Sequence, residues 1–259
     1  IIAGPTASGK SDLALDLAEE FGGVVINADS MQIYEGLEVV TDSPKEVARF
    51  RAPHRLYGVW DPAMPFSVGQ WLELAMQEIR DAHQAGLIPI VVGGTGMYLQ
   101  TLIKGIAAIP PIPLAVRENV RNLLAEKGSV MLHAELSKFD PKTAARLNVS
   151  DGQRIARATE IFEATGKSLT HWHAEGAQSK ISPEFKFRSV LLKPPRELLY
   201  ATCDARFEEM LKTGALDEVS ALVDRKLDPK LPAMKALGVP EIIKYLAGEL
   251  LFEDAVSAG

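Results

Sequence analysis

One eight-residue run near the start of the chain limits the possible folds more than any other feature. It matches the phosphate-loop pattern G-x-x-x-x-G-K-[ST] at every fixed position and reads Gly4-Pro5-Thr6-Ala7-Ser8-Gly9-Lys10-Ser11. An apolar stub precedes the run and a helical pattern follows over 12–21, the context in which the pattern is specific. In such loops backbone N–H groups surround an anion at a helix N-terminus, the lysine adds charge and the last hydroxyl can ligate Mg²⁺. We therefore expect all eight residues to hold phosphate groups, with Ser11 as the metal ligand.

The composition is that of an ordinary globular protein. The chain has 259 residues, 47% apolar and 24% charged, which suits one large α/β domain or a core with a modest second lobe. The single cysteine, Cys203, excludes an internal disulfide and favours a reducing, cytoplasmic setting.

No apolar run approaches the ~20 residues of a membrane helix, so no membrane association is expected. No signal peptide is apparent, and because the chain opens inside an expected strand, we expect a few residues to precede it. The net charge of −6 argues against indiscriminate nucleic-acid binding but allows a local basic lobe.

Short apolar runs alternate with helical patterns through the first half of the chain. Strands are expected at 24–26, 54–59 and 88–92, and helices at 12–21, 46–51 and 67–85. Strands joined through helices form right-handed βαβ units with a parallel sheet. The predicted fold class is α/β, with a three-layer core of the P-loop NTPase type around a parallel central sheet.

A proline-rich connector at 109–113 marks a lobe boundary. Only helices are expected after it, at 115–127, 130–138, 141–146 and 151–165. A strand at 187–192 and helices at 197–212 and 216–225 then return to the core, and 234–240 reads as a loop. We therefore predict a catalytic core of 1–110 and 183–259 that carries an inserted all-helical lobe of 111–182.

Two polar residues follow the predicted strands where a ligand is expected. Asp29 comes just after the second strand, and ligands of open α/β sheets bind at the carboxyl ends of strands; its alternative role is a helix cap or turn. Thr95 is the first polar side chain after the strand at 88–92, in the run Gly93-Gly94-Thr95-Gly96. Many P-loop enzymes have an Asp there that holds Mg²⁺. We interpret the glycines as a close backbone approach to a ligand, or as a tight turn.

The motifs taken together resemble the tRNA dimethylallyltransferase family. Besides the phosphate loop, the matching runs are Ala28-Asp29-Ser30-Met31-Gln32-Ile33-Tyr34, Pro53-His54-Arg55-Leu56, Val92-Gly93-Gly94-Thr95-Gly96-Met97-Tyr98, Asp151-Gly152-Gln153-Arg154-Ile155 and Ala236-Leu237-Gly238. Each run alone is weakly specific, but six in this order span the whole chain.

The resemblance implies transfer of a dimethylallyl group from dimethylallyl diphosphate to N6 of the adenosine beside the tRNA anticodon. It implies Mg²⁺ as cofactor, a monomer, Asp29 as general base, and Thr95 and Arg206 as further catalytic residues that contact the diphosphate or the target base. A channel between core and lobe would receive the unstacked base. The implied tRNA contacts are Asp29, Ser30, Met31, Gln32, Thr95, Arg117, Gln153, Arg154, Ile155, Ala156, Arg157, Lys235, Ala236, Leu237 and Gly238.

The chain departs from the family pattern at three places. Thr202 stands where many relatives have an arginine, and Val239-Pro240 replaces a usual Tyr-Arg pair. The family's basic C-terminal helix would lie beyond Gly259. The alternatives are an adenylate dimethylallyltransferase, a small-molecule kinase and a nucleotide-dependent RNA-binding switch.

Overall fold

A five-stranded parallel sheet forms the centre of the structure, a computed structural model that describes residues 1–176 and 185–258. Its strands are β1 (Ile2–Ala3), β2 (Gly23–Asn27), β3 (His54–Arg55), β4 (Ile88–Gly93) and β5 (Val190–Leu191), in the spatial order β3-β2-β4-β1-β5. All pairings are parallel, so the carboxyl ends of the strands share one edge of the sheet. The predicted α/β class with a parallel central sheet is confirmed.

Helices cover the sheet. Those of the first part are α1 (Lys10–Phe21), α2 (Glu46–Arg51), α3 (Val68–Gln84) and α4 (Gly96–Lys104). Ala14, Leu15 and Ala18 of α1 pack with Val25 and Ile90 in one apolar cluster. Successive residues of a strand point to opposite faces, and all five residues of β2 are buried. Both faces of β2 are therefore covered, as a three-layer arrangement requires.

The chain divides into two compact units, 1–102 with 186–259 and 103–185. The second unit begins eight residues before, and ends three after, the predicted lobe of 111–182. Its helices are α5 (Leu114–Phe139), α6 (Pro141–Ala144), α7 (Gly152–Thr165) and α8 (Leu169–Gly176). Gly128, with φ 76° and ψ 167°, divides α5 into the two helical segments that the sequence predicts. The unit has its own core, which includes Val120, Leu132, Leu136 and Ile155.

The remaining helices belong to the first unit. They are α9 (Arg196–Lys212), α10 (Ala215–Asp224), a 3₁₀ turn (Ala233–Lys235), α11 (Val239–Leu246) and α12 (Phe252–Ala258). The prediction of a loop over 234–240 is therefore only partly right. Pro240 lies in the first turn of α11, where a missing N–H costs no helical bond. No helix in the described ranges is both long and apolar enough to cross a membrane.

Other boundaries also differ from the sequence prediction. Helix α1 starts at Lys10 rather than at residue 12, because the last two residues of the phosphate-loop pattern already lie in its first turn. Strand β3 is shorter than 54–59, since Leu56 (φ 64°) and Gly58 (φ 60°) turn the chain. Strand β5 forms only at Val190–Leu191 of the predicted 187–192.

Candidate functional site

The phosphate-loop run connects β1 to α1 in a conformation suited to an anion. Ala7 and Gly9 have φ angles of 61° and 78°, and alternation with left-handed residues turns successive N–H groups toward one concave side. A Cβ on Gly4 would lie 2.5 Å from Ser8 Oγ and 3.1 Å from Leu192 O, so a side chain here would displace the Ser8 hydroxyl from the loop. Within the described residues, the buried Ser8 hydroxyl has no hydrogen-bond partner. A phosphate oxygen would supply one.

Lys10 folds back over this loop. Its Nζ donates to the carbonyl oxygen of Pro5 at 3.2 Å. Burial lowers the pKa of Lys10, the nearby carboxylates of Asp29 and Asp42 oppose that shift, and the charge of Arg206 adds to it. Two cations and two carboxylates therefore act on one another at the phosphate loop.

Asn27 fixes the position of Asp29 at the end of β2. The buried Asn27 side chain accepts from Asp29 N through Oδ1 at 2.7 Å, and its Nδ2 donates to the carbonyl oxygens of Asp29 (3.0 Å) and Leu56 (2.9 Å). One Asp29 oxygen, Oδ1, accepts from Met31 N at 2.9 Å. The alternative interpretation as a turn residue thus holds for Oδ1. Oδ2 makes no hydrogen bond with any described residue, which leaves it available to a substrate.

The glycine run after β4 approaches protein backbone. A Cβ on Gly93 would lie 2.2 Å from the carbonyl carbon and oxygen of Ala28. The expected close approach to a ligand is therefore wrong at Gly93, where the neighbouring chain segment leaves no room for a side chain. Gly94 lies between the phosphate loop and Asp29, since its Cβ would be 3.3 Å from Gly4 O and 3.8 Å from Asp29 Oδ2.

The Thr95 hydroxyl ties the glycine run to the loop after β2. It accepts from Ser30 N at 3.0 Å and donates to Ser30 Oγ at 3.3 Å. Thr95 thus positions the residue next to Asp29. Its predicted contact with the diphosphate or the target base stays a prediction.

Arg206 of α9 completes the group. It lines a cavity of about 460 Å³ together with Thr6, Asp29 and Cys203, and its Nη1 donates to Asp42 Oδ2 at 2.8 Å. Thr202, one turn earlier, donates its hydroxyl to Leu198 O at 2.7 Å. Position 202, where many relatives have an arginine, therefore supplies no second cation beside Arg206.

Some predicted tRNA contacts are buried side chains. Ile155 and Ala156 are 0% and 5% exposed in the core of the second unit, so the prediction that their side chains contact RNA is wrong: the helical period turns them inward. Ala236 is likewise 1% exposed. A Cβ on Gly238 would lie 2.5 Å from Phe207, so that buried glycine also faces protein.

Other predicted tRNA contacts are on the surface. Gln153, Arg154 and Arg157 of α7 are exposed, with Arg154 paired to Asp151 at 2.9 Å and Arg157 to Glu160 at 3.3 Å. In α5, the Nε of Arg117 is buried and has no hydrogen-bond partner within the described residues. In the first unit Lys235 and Leu237 are exposed, and the Gln32 amide donates to Thr41 O and Asp42 O, each at 2.9 Å.

The residues present fit a metal that is shared with phosphates. Ser11 is exposed in the first turn of α1, and the described ranges contain no group of three His, Cys, Asp or Glu side chains that could hold a metal alone. Mg²⁺ is often bound by few protein groups together with substrate phosphates and water. Ser11 can be such a group.

Three residues of this site were missed by the sequence interpretation: Asn27, Asp42 and Glu218. Asn27 carried a signal, as a polar residue that directly ends an apolar strand. Asp42 and Glu218 carried none, because their partners are more than 160 residues away.

The chain is similar to known proteins over its whole length. A family model described as IPP transferase matches residues 32–259, and one described as isopentenyl transferase matches residues 1–60. A tRNA dimethylallyltransferase of Rhodopseudomonas palustris (strain BisB18) is 53% identical over 259 residues, which are 100% of this chain and 82% of the relative. The tRNA dimethylallyltransferase of Rhodospirillum centenum is 49% identical over 257 residues, 99% of this chain and 82% of the relative.

Solved structures agree. A eukaryotic dimethylallyltransferase acting on tRNA superposes with a TM-score of 0.81 at 30% identity, covering 99% of this chain and 64% of that one. The tRNA isopentenylpyrophosphate transferase of Bacillus halodurans gives a TM-score of 0.66 at 30% identity, covering 99% and 80%.

Proposed function

The chain belongs to the tRNA dimethylallyltransferase (IPP transferase) family, and from that premise we propose that its phosphate loop holds a prenyl diphosphate rather than ATP. The enzyme transfers a dimethylallyl group to tRNA. The proposed donor is dimethylallyl diphosphate, and the proposed acceptor is N6 of the adenosine beside the anticodon.

One observation carries the proposal: Asp29, with a carboxylate oxygen free of protein hydrogen bonds among the described residues, lines the same cavity as Thr6 of the phosphate loop and Arg206. A kinase also places a base of this kind, beside the phosphoryl group that it transfers. The membership of the chain in the IPP transferase family favours prenyl transfer, in which the bond that breaks lies next to the diphosphate and the amine attacks there.

The proposed reaction breaks one bond of the donor and forms one bond to the acceptor amine. The C1–O bond of the donor breaks with its electron pair on the diphosphate, while N6 forms a bond to C1. The loop N–H groups, Lys10 and Arg206 stabilise the negative charge that develops on the leaving group. Ser11 would hold Mg²⁺, and the chemistry that this ion supplies when bound is further neutralisation of the diphosphate.

Asp29 removes the proton that N6 must lose. An exocyclic amine is a poor nucleophile because its lone pair is delocalised into the ring, so proton removal during attack lowers the barrier. Asn27 and Thr95 hold the two backbone segments that flank this carboxylate. The cations of the site thus stabilise the leaving group, and the Asp29 carboxylate accepts the proton of the amine.

The acceptor enters as an unstacked base of a tRNA loop. We propose Arg117, Gln153, Arg154 and Arg157 as RNA contacts from the second unit, and Lys235 and Leu237 as contacts from the first. The proposed working form is a cytoplasmic monomer.

Mass spectrometry of tRNA nucleosides tests the proposal. The protein is incubated with unmodified tRNA, dimethylallyl diphosphate and Mg²⁺, and the digest should contain adenosine heavier by one dimethylallyl group at the position next to the anticodon. Prenylated AMP without modified tRNA would show an adenylate dimethylallyltransferase instead. Phosphate transfer from labelled ATP would show a kinase, and tRNA binding without any product would show a binding protein.

A further inference from the structure

We infer that Asp42 competes with the diphosphate for Arg206 and thereby sets the affinity of the site for donor and product. The inference rests on the proposed function, since it assigns a role within the same phosphate site. Arg206 and Asp42 form an ion pair in which Nη1 lies 2.8 Å from Oδ2.

Asp42 lies at the junction of the cationic groups. It pairs with Arg206, its charge acts on Lys10, and it lines a second cavity, of about 290 Å³, together with Ser11. A carboxylate there neutralises two cations that repel each other when no anion is present. A bound diphosphate performs the same neutralisation, so Asp42 and the diphosphate are alternatives.

The backbone of the segment 37–43 holds Asp42 in place. Asp42 has a φ of 53°, an uncommon conformation that surrounding contacts must stabilise. The Gln32 amide donates to Thr41 O and Asp42 O, and Asp42 N donates to Val39 O at 3.0 Å. Glu218 of α10 accepts hydrogen bonds from Val39 N (2.7 Å) and Val40 N (2.9 Å) and so anchors the middle of the segment.

The arginine is therefore the partner that moves. Its side chain is long and 29% exposed, whereas the carboxylate is short and is carried by a tethered segment. When the diphosphate binds, the guanidinium exchanges the Asp42 carboxylate for phosphate oxygens. When the diphosphate leaves as product, the Arg206 guanidinium forms its ion pair with Asp42 again.

Binding of inorganic diphosphate, measured by calorimetry, tests the competition. Asparagine adopts the backbone conformation of residue 42 readily, so Asp42→Asn removes the charge and keeps the fold of the segment. For a partly exposed pair we expect Asp42→Asn to bind diphosphate roughly two- to fivefold more tightly in EDTA. The KM for dimethylallyl diphosphate should fall by a similar factor without a rise in kcat.

Two controls locate the effect. Asp61 forms an ion pair with Arg225 at 2.5 Å elsewhere in the same unit, and Asp61→Asn should leave diphosphate binding unchanged. In an Arg206→Ala background, Asp42→Asn should give a smaller gain than in the wild type, because only the action of the Asp42 charge on Lys10 remains.

Each other outcome has a definite meaning. Equal or weaker binding by Asp42→Asn in EDTA would overturn the inference. Weakening that appears only with Mg²⁺ would also overturn it and would assign Asp42 to the metal instead. If the wild-type protein itself bound no diphosphate, the proposed function would fail, which is a separate result from a wild-type site that binds and an Asp42→Asn site that does not improve.

Discussion

The side chain of Asn27 both accepts from the main-chain N–H of Asp29 and donates to its carbonyl oxygen, at 2.7 Å and 3.0 Å. A buried amide at the last residue of β2 thus fixes the backbone from which the proposed general base extends. The direction of Asp29 depends on a residue that need not touch substrate.

Replacement of Asn27 by alanine should impair both stability and transfer. The substitution leaves Asp29 N and Leu56 O without their partners, which costs about 1–3 kcal/mol of the free energy of unfolding. A misplaced base should lower kcat about 10- to 100-fold. Urea denaturation and single-turnover transfer measure the two effects.

Asn148→Ala is the matched control for Asn27→Ala, because Asn148 Oδ1 accepts from Ser150 N in the same i, i+2 arrangement at an exposed position. It should change stability by less than about 0.5 kcal/mol. An Asn27→Ala variant with wild-type kcat would contradict the positioning role.

Glu218→Gln should loosen the segment 37–43. Both carboxylate oxygens accept backbone N–H groups, and the glutamine amide nitrogen cannot accept one. Hydrogen exchange at Val39 and Val40 should become about tenfold faster, while Glu20→Gln, at an exposed residue of α1, should not alter it. Burial raises the pKa of Glu218 above its ordinary 4.5, against the backbone N–H donors that lower it. Unchanged protection of both amides in Glu218→Gln would contradict the anchor.

The affinity for diphosphate should fall at alkaline pH through Lys10. Burial holds the pKa of Lys10 below its ordinary 10.5, so the cation loses its proton, and with it the attraction for the anion, earlier than an exposed lysine does. Burial together with the charge of Asp29 raises the pKa values of Tyr57 and Tyr98, which keeps both phenols neutral over this range. The ratio of wild-type to Lys10→Arg affinity should therefore decrease as the pH rises, because arginine stays charged. A constant ratio up to pH 10.5 would contradict the lowered pKa.

Asp140→Asn should destabilise the second unit. The buried Asp140 carboxylate accepts from Thr170 Oγ1 (2.6 Å), Thr170 N (3.0 Å) and Thr143 N (3.1 Å), so it joins α6 to α8. The expected loss is about 1–3 kcal/mol, seen as faster hydrogen exchange in these helices at neutral pH. Asp151→Asn, at a more exposed helix cap, should cost about 1 kcal/mol or less.

The pH dependence of Asp140 gives a second readout. Burial alone would raise its pKa, but the hydrogen bonds from Thr170 and Thr143 outweigh burial and hold the pKa below 3.8. The stabilisation is therefore present above pH 3.8 and is lost as the pH falls through the lower folded-state value. Asp140→Asn should flatten this acid dependence, and an unchanged acid limb would contradict the assignment.

The phosphate loop and the parallel sheet were predictable because their signals are local. A glycine-rich run between an apolar stub and a helix specifies its own geometry, and β-branched runs separated by helices specify parallel pairing. The placement of Asp29 followed from the common edge at which parallel strands end. None of these needed a contact distant in sequence.

The rest required the folded chain. The contact of Asp42 with Arg206 and that of Glu218 with Val39 join residues far apart in sequence, and no periodicity indicates them. The error at Ile155 and Ala156 has a different origin. A motif match identifies positions in the sequence but does not show where each side chain points. On α7 the helical period turns residues 155 and 156 inward and leaves 153, 154 and 157 exposed.

The most direct test of the proposed chemistry is single-turnover transfer by Asp29→Asn beside the wild type, with inorganic diphosphate binding measured on the same samples. The asparagine oxygen can still accept from Met31 N, so the substitution removes the base and keeps the turn. The prediction is a fall in transfer of about 10²- to 10⁴-fold with no weakening of diphosphate binding. Transfer at the wild-type rate would contradict the role of Asp29 as general base.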